Sequence, residues 1–359
     1  MTTAYRPALK LTPMPPPPFR YGILGCGNIA GQFASDLADA QDSVVAAVAS
    51  RSADKARDFG DRFGVDPARC FGGYAELLAD DTLDAVYVAL PNHEHHGWSK
   101  RALAAGFHVL CEKPFTLNVA GAEDLFDTAD AAGLRIMEAF MYRCHPLTHA
   151  VVDAVRGGVI GRLRLVRASF CYRTSRIGGN VRFDPAIGGG GLWDIGSYCV
   201  SVARLLAGCE PEAVHAAGHF HDTGVDDVAA GLLNFPHGVT ASLTFGMSVQ
   251  ADNTLHLGGE DGWIQVPVPW KPPQRGAAYV VGGQTPPKQD LAAGGGGPPG
   301  PRTVAVDADA PLFALEADAF ARAARSGGPL PVTRADTVGN VRVLAEMARQ
   351  LDRQRERRS

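Results

Sequence analysis

The sequence of 359 residues predicts an α/β protein with two domains: a parallel sheet covered by helices, then an α+β domain with a large open, mainly antiparallel sheet. Short β-branched runs alternate with longer helical patterns from Phe19 to Phe140, which is typical of βαβ units. After about Met141 the period changes to two, most clearly in VTASLTF, where apolar and polar residues alternate. The length also exceeds that of most single domains.

The predicted strands of the first domain are the runs RYGILG, SVVAAVA, DAVYVAL, FHVLC and LRIMEAF, with a helix over 120–131 before the last of them. The predicted strands of the second domain are RLRLVRASFCY, PEAVHAAGHF, DDVAAGLLNF, VTASLTF and TLHLGG. Helical patterns over 312–324 and 336–351 close the chain.

We divide the chain into a proline-rich arm (1–18), a first domain (19–141) and a second domain (142–359). The arm contains MPPPPF, a stiff polyproline run. The stretch 267–301 is rich in Gly and Pro, so we predict a surface loop or hairpin insertion with little packed structure. We expect the C-terminal helices to pack back on the first domain.

Composition and charge argue against several classes of function. Hydrophobic residues make up 46% of the chain, and a formal net charge of −4 gives no basic excess for nucleic-acid phosphates. No apolar window is long enough to span a bilayer. The seven cysteines form no CxxC pair, and the N-terminal segment lacks the apolar core of a signal peptide. We therefore expect a cytoplasmic protein with free thiols and neither a nucleic-acid nor a membrane partner.

A glycine-rich turn follows the first predicted strand. In GCGNIA, Gly25 suits a tight turn, Gly27 lets the backbone approach a pyrophosphate, and Ala30 permits close packing of helix on strand. The free N–H groups at the helix start, around Asn28 and Ile29, attract an anion. This pattern between a strand and a helix predicts a dinucleotide-binding Rossmann domain.

The end of the second strand indicates which dinucleotide is bound. A site for NAD usually offers an acidic residue here, whereas this chain offers Ser50 and Arg51, with Lys55 one helical turn later. Two cations suit a 2′-phosphate, so we predict NADP, with NAD as the alternative.

The stretch FHVLCEKPF ends a predicted buried strand in Glu112, Lys113 and Pro114. In a doubly wound sheet, ligands bind beyond the carboxyl ends of the strands, where Lys113 can orient a substrate hydroxyl. The chain has few lysines and many arginines, which favours a specific role for this one. The alternative is an ordinary surface pair of Glu112 and Lys113.

A second cluster occurs in GGGGLWDIGSYCV, where Asp194 and Tyr198 stand four residues apart at a predicted helix start. That spacing puts both side chains on one face of a helix. A phenol has an ordinary pKa of roughly 10 and needs a nearby cation, such as Lys113, to act as a base near neutrality. The alternative is a buried tyrosine next to a capping aspartate.

Five stretches together resemble the Gfo/Idh/MocA oxidoreductase family over nearly the whole chain: GCGNIA, PNHEH, HVLCEKP, EAFMYRCHP and NVRFDPAIGGGGLWDIGSYC. Tyr198, where many members have histidine, resembles the branch with dimeric dihydrodiol dehydrogenase, glucose-fructose oxidoreductase and NADP-dependent D-xylose dehydrogenases. The resemblance implies a homodimer or homotetramer.

The resemblance also implies roles for individual residues. Lys113 would be a catalytic or substrate-positioning residue beside the nicotinamide, with a cis peptide bond before the proline that follows it. Tyr198 would exchange the hydroxyl proton. Asp194 would hold a second substrate hydroxyl. The residues implied near the cofactor are Pro91, Asn92, His95 and Glu112. The candidates for substrate recognition are Arg143, His145, Asn180, Arg182 and Asp184.

We expect no metal, because the clustered His93, His95 and His96 have no Cys/His partners at metal spacing. The predicted function is hydride transfer between NADP and a small polyol, with an aldose oxidised at C1 to a lactone, or the reverse. The alternatives are a nicotinamide-retaining glycosidase, an aldose–aldose oxidoreductase and a non-catalytic cofactor-responsive regulator.

Overall fold

The structure is a computed structural model that describes residues 16–283 and 300–357. Most of the proline-rich arm and the middle of the 267–301 stretch lie outside these residues.

The first domain contains six parallel strands in the order β3-β2-β1-β4-β5-β6 within the described residues. Their bounds are β1 Phe19–Leu24, β2 Ser43–Ala49, β3 Cys70–Phe71, β4 Ala85–Val88, β5 His108–Glu112 and β6 Ile136–Ala139. The residues of β4 and β6 are buried throughout, because helices cover both faces of the sheet. The predicted Rossmann arrangement is therefore confirmed.

Five helices connect these strands in the described chain: α1 Asn28–Asp36, α2 Ala53–Phe63, α3 Tyr74–Leu77, α4 His95–Ala104 and α5 Val119–Ala132. The side chain of Ser52 accepts a hydrogen bond from the Lys55 N–H and so caps α2. Because β1 lies between β2 and β4, the strand order reverses at β1, and the crevice for a ligand opens there.

The second domain contains eight strands in the order β14-β13-β12-β11-β7-β10-β9-β8 in the described part of the chain. Neighbouring strands are antiparallel except for β7 and β10, which are parallel. The bounds are β7 Leu163–Cys171, β8 Ala213–Phe220, β9 Asp226–Phe235, β10 Val239–Gly246, β11 Leu255–Gly259, β12 Gly262–Val266, β13 Ala278–Gly283 and β14 Arg302–Ala305. All five strands predicted for this domain are present.

The helices after β6 are α6 Pro146–Arg156, α7 Ser197–Ala207, α8 Leu312–Ser326 and α9 Arg334–Glu356. The C-terminal pair spans both domains. In α8, Phe320 packs against Phe19 of β1, and in α9 the side chain of Gln350 accepts a hydrogen bond from the Ala216 N–H of β8. Arg334 at the start of α9 pairs with Asp127 of α5.

The described part of the 267–301 stretch is more ordered than its composition suggests. It contributes β13 to the sheet, and Trp270 is only 3% exposed. The Trp270 ring stacks on Phe170 at a centroid distance of 5.5 Å, and its indole N–H donates to the Ser169 carbonyl. The prediction of little packed structure is wrong for these residues, because one buried aromatic side chain anchors a segment that is otherwise poor in apolar residues.

Glu138 on β6 supports the segment that carries Lys113. It is fully buried, and its Oε1 accepts a hydrogen bond from the Phe115 N–H at 3.0 Å. Burial raises the pKa of Glu138 from 4.5 to about 7, although the bond from Phe115 opposes this rise. The folded state therefore favours the neutral acid, and this contribution to stability is lost as the pH rises through about 7.

We expect Glu138→Gln to keep the bond to Phe115 and remove this pH dependence. Relative to the parent protein, the variant should gain free energy of unfolding between pH 5 and pH 8, by up to roughly 3 kcal/mol. Urea unfolding at both pH values measures the difference, and Glu123→Gln, an exposed position on α5, controls for the lost charge. A difference between parent and variant that does not change with pH would contradict the assignment.

Candidate active site

The glycine loop after β1 has the geometry that a closely approaching dinucleotide requires. Gly25 has φ +101°, and a Cβ there would lie 2.5 Å from the Ala89 carbonyl oxygen, so only glycine fits. Gly27 is the N-cap of α1, and a Cβ on it would meet nothing within 4 Å, because it faces an open cleft. The helix start has no side-chain cap. Its N–H groups are thus available to an anion.

The cleft has a volume of about 1000 Å³ and lies between the two domains. Most of the predicted cofactor residues line it together: Gly25, Gly27, Asn28, Ile29, Ser50, Arg51, Lys55, Pro91, Asn92, Glu112 and Lys113. Arg51 follows the end of β2 and Lys55 lies in the first turn of α2, where a dinucleotide would place its adenosine ribose.

His95 does not line the cleft but holds two of its loops. It is fully buried, and its ring nitrogens lie 2.8 Å from the carbonyl oxygens of Pro114 and Leu90. Burial lowers the pKa of His95, so the neutral ring donates to one carbonyl at a time. The loops after β4 and β5 are joined through this side chain.

The turn after β5 brings Lys113 into the cleft, and the Lys113–Pro114 peptide bond is cis, as the resemblance implied. The neighbouring Glu112 is 6% exposed. Its Oε1 accepts a hydrogen bond from the Tyr87 hydroxyl at 2.5 Å, and its Oε2 accepts one from the Lys113 N–H. Burial raises the pKa of Glu112, and the charge of Lys113 opposes that rise.

Asp194 is the centre of the polar network in the cleft. Its Oδ1 lies 3.0 Å from Lys113 Nζ, which also donates to the Asp194 carbonyl oxygen at 2.7 Å. Its Oδ2 accepts from the Tyr172 hydroxyl and from Arg182 Nε, each at 2.7 Å. Burial opposes the ionised carboxylate, but Lys113 and Arg182 outweigh it and lower the pKa of Asp194.

This geometry changes the role expected for Asp194. Both carboxylate oxygens already accept hydrogen bonds from side chains of the protein, whereas the sequence prediction left them available for a substrate hydroxyl. The residue therefore fixes the amine of Lys113, and most of its acceptor capacity is used within the protein.

Asp194 lies in a π-helical turn, Leu192–Gly196, that leads directly into α7. Asp226 caps this turn, since its Oδ2 accepts from the Leu192 N–H at 2.7 Å. At Gly190, with φ +123°, a Cβ would lie 2.3 Å from Asp226 Oδ1, which explains the need for glycine. Although the turn is not an α-helix, Asp194 and Tyr198 line the same cleft, as their spacing predicted.

Tyr198 is 4% exposed, and its hydroxyl donates to the sulfur of Met141 at 3.4 Å. Lys113 Nζ lies 5.2 Å from the centre of the Tyr198 ring. Burial raises the pKa of Tyr198 well above 10, and the charges of Glu112 and Asp194 raise it further. This direction is opposite to the lowering expected from Lys113, and burial of the phenol is its largest cause. The resting phenol is protonated.

The loop 173–191 forms the other wall of the cleft. Asn180 and Arg182 line the cleft from this loop, and Asn180 Oδ1 accepts from the Arg182 N–H at 3.1 Å. Asp184 instead caps a local turn by accepting from the Ala186 N–H.

Two predicted substrate residues lie elsewhere. Arg143 is 8% exposed, and its guanidinium group contacts Asp336 at 3.4 Å and the Pro331 carbonyl, at the junction with the C-terminal segment. His145 is fully buried and caps α6 by accepting from the Leu147 N–H. The structure does not bring either side chain to the cleft lining, because Arg143 is engaged by the C-terminal segment and His145 by the start of α6.

Sequence reasoning missed several residues of the cleft, including Tyr172, Lys271 and Arg176. Tyr172 directly follows β7, so the end of a predicted strand was the available signal. Lys271 follows Trp270 in a stretch set aside for its composition. The available signal for Lys271 was its position next to Trp270, an isolated aromatic residue in a stretch poor in apolar residues.

The described residues contain no group of three or more His, Cys, Asp and Glu side chains placed to hold a metal ion. His96 instead pairs with Asp124 at 2.7 Å on the outside of the first domain. No helix among these residues is long and apolar enough to cross a membrane.

The cleft fits a dinucleotide on the chain's own geometry. The space in front of Gly27 is open, the start of α1 is uncapped, and two cations stand between the end of β2 and the first turn of α2. The lysine and tyrosine stand at the end of β5 and the start of α7, across the same cleft.

Comparisons with known proteins agree with this geometry. Residues 19–140 match the sequence model described as the oxidoreductase family with an NAD-binding Rossmann fold, and residues 148–265 match the Gfo/Idh/MocA C-terminal domain. The dTDP-3,4-didehydro-2,6-dideoxy-alpha-D-glucose 3-reductase of Actinomadura kijaniata is 41% identical over 71% of this chain and 76% of its own. The D-xylose 1-dehydrogenase (NADP(+)) 2 of Haloferax volcanii is 32% identical over 90% and 94%.

Among solved structures, a 3-ketoreductase from Actinomadura kijaniata in complex with NADP and TDP-benzene superposes with a TM-score of 0.80 at 33% identity. The superposition covers 93% of this chain and 98% of the other. The chain belongs to the Gfo/Idh/MocA family of NAD(P)-dependent oxidoreductases.

Proposed function

We propose that the protein is an NADP-preferring oxidoreductase that transfers a hydride between the nicotinamide and a hydroxyl-bearing carbon of a sugar. The proposed substrate is an aldose, oxidised at C1 to the lactone or formed by the reverse reduction. The observation that carries this proposal is the Lys113–Asp194 ion pair beside Tyr198, opposite the glycine loop in one cleft.

The cofactor, when bound, accepts or supplies the hydride. Tyr198 exchanges the proton of the reacting hydroxyl, since its phenol is held at the cleft wall by aromatic neighbours such as Phe140 and Phe170. Lys113, fixed by Asp194, orients the same oxygen and favours negative charge on it. Because the resting phenol is protonated, the free protein is prepared to donate a proton to a carbonyl oxygen, which is the reductive direction.

NADP preference is supported by Arg51 and Lys55, because a 2′-phosphate pairs well with two cations. The similarity to an NADP-linked D-xylose dehydrogenase supports an aldose as substrate. The similarity to a 3-reductase that acts on a deoxysugar nucleotide supports a second candidate reaction, reduction of a ring ketone, in which the protonated Tyr198 would serve as the acid.

We expect Tyr198→Phe to reduce kcat by about 10²–10⁴-fold, the usual contribution of a positioned acid or base, with the Kd of NADPH nearly unchanged. Stopped-flow turnover and NADPH fluorescence titration measure the two quantities. Tyr142→Phe is the control, because the hydroxyl of this buried tyrosine shares a hydrogen bond with the Ser201 hydroxyl and does not line the cleft. Turnover unchanged by the Tyr198 substitution would remove this residue from the proton transfer.

We expect Arg51→Ala to raise the Kd of NADPH by roughly tenfold and to leave the Kd of NADH within about twofold, since one charge-assisted contact is lost. Arg57→Ala is the matched control, because Arg57 is exposed on α2 and pairs with Asp54. Equal weakening of both cofactors would contradict recognition of the 2′-phosphate.

The reaction itself is tested by following NADPH absorbance with a panel of aldoses, inositols, dihydrodiols and keto-sugars, offering NADP(H) and NAD(H) separately. NADPH formation with an aldose supports the proposal, and NADPH consumption with a keto-sugar supports the second candidate. Cleavage of a chromogenic glycoside without net change in NADPH would identify the glycosidase instead. Oxidation of one sugar coupled to reduction of another, with the nicotinamide remaining bound, would identify an aldose–aldose oxidoreductase. Cofactor binding without turnover of any substrate in the panel would favour a non-catalytic regulator.

A further inference from the structure

Lys271 belongs to the second domain, and its side chain reaches across the cleft to the first domain. It follows Trp270, whose buried ring and indole hydrogen bond fix the backbone to β7. Lys271 itself is exposed on the cleft side, and its Nζ donates to the side-chain oxygen of Gln32 at 3.0 Å. Gln32 belongs to α1 in the first domain, so this contact bridges the two walls of the cleft.

The position of Gln32 relates Lys271 to the helix start. Gln32 lies four residues after Asn28, so the two side chains share one face of α1. The uncapped N–H groups of this helix and the open space at Gly27 lie one turn away. A lysine side chain that reaches Gln32 from the second domain therefore stands beside the space predicted for the pyrophosphate.

The surroundings of the Lys271 ammonium group favour its moving from Gln32 to an anion. Although Lys271 has exposed surface, protein atoms packed around it partly exclude water from the ammonium group and lower its pKa. The neighbouring charge of Lys113 lowers the pKa further, while Glu112 opposes both effects. The amide oxygen of Gln32 is a neutral acceptor, whereas a phosphate oxygen carries negative charge and adds Coulombic attraction to the hydrogen bond with the ammonium group. An anion between Lys271 and α1 would thus be a better partner than Gln32.

We propose that Lys271 is a phosphate-binding residue contributed by the second domain, which leaves Gln32 and pairs with the pyrophosphate of the bound dinucleotide. This inference rests on the proposed function. It assigns the pyrophosphate two partners on opposite walls: the start of α1 and the Lys271 ammonium group. Cofactor binding is then linked to the relative position of the two domains.

The test is fluorescence titration of NADPH and NADH into the purified full-length protein and its variants. Lys271→Met keeps an unbranched side chain that is one atom shorter and removes the charge. We expect it to raise the Kd of both cofactors by roughly tenfold, because both carry the pyrophosphate, and to reduce the dependence of Kd on salt. Lys271→Arg should restore most of the affinity. This pattern differs from the loss at Arg51, which is expected for NADPH alone.

Two controls separate binding from structure. Gln32→Ala removes the bridge between the domains but keeps the charge, so we expect its Kd values to stay within about twofold of the parent. Lys100→Met removes an exposed lysine that pairs with Asp124 outside the cleft. Equal weakening by Gln32→Ala and Lys271→Met would assign Lys271 a structural role and overturn the proposal.

The remaining outcomes are distinguishable. Parent protein that binds neither NADPH nor NADH would overturn the proposed function together with this inference. Parent protein that binds both, with Lys271→Met unchanged in Kd, would overturn the inference alone. Lys271→Met could instead keep its affinity for both cofactors and lose affinity only for a phosphorylated sugar, measured in competition with the neutral sugar. The phosphate that Lys271 binds would then belong to the substrate, and its assignment to the cofactor pyrophosphate would be wrong.

Discussion

The cleft depends on one buried carboxylate. Asp194 accepts hydrogen bonds from Lys113, Tyr172 and Arg182, which come from the end of β5, the end of β7 and the loop 173–191. A charge with so little access to water is stable only when it is paired and hydrogen-bonded, so each partner is needed where it stands. Since Lys113 belongs to the first domain and the other two to the second, the same carboxylate also fixes how the domains meet.

Behind this group, the first domain holds its own side of the cleft with buried polar residues. Glu112 is tied to Tyr87, Glu138 to the backbone of Phe115, and His95 to the loops after β4 and β5. These contacts set the turn that presents Lys113. They explain why Glu138 and His95 are buried near the site although they do not line the cleft: both hold backbone groups that have no regular hydrogen-bonding partner. Glu112 differs, because it lines the cleft and is itself held by Tyr87.

Most of the fold and the cofactor side of the cleft followed from the sequence, because parallel strands bring their carboxyl ends to one edge. Gly25, Arg51 and Lys113 each follow a predicted strand, so their proximity could be inferred from topology alone. The partners of Asp194 could not, since they depend on the packing of a loop and an open sheet against the first domain. Motif resemblance suggested Arg143, but a residue close in sequence to the cleft can turn away from it, as Arg143 does towards Asp336 of α9. Lys271 was missed because the Gly- and Pro-rich composition of 267–301 suggested a loop, although this stretch contains β13 and the buried Trp270.

The loop 173–191 satisfies many of its polar groups within itself. Asn180 bonds to the Arg176 carbonyl and the Arg182 N–H, and Asp184 caps a turn of the same loop. Its links outward include the Arg182–Asp194 pair and the Gly188 carbonyl, which accepts from Asn92. A segment that is satisfied largely from within can change in sequence while its anchors to the rest of the protein persist. New substrate preferences can therefore arise by drift in this one segment, with the Lys113–Asp194 pair left in place.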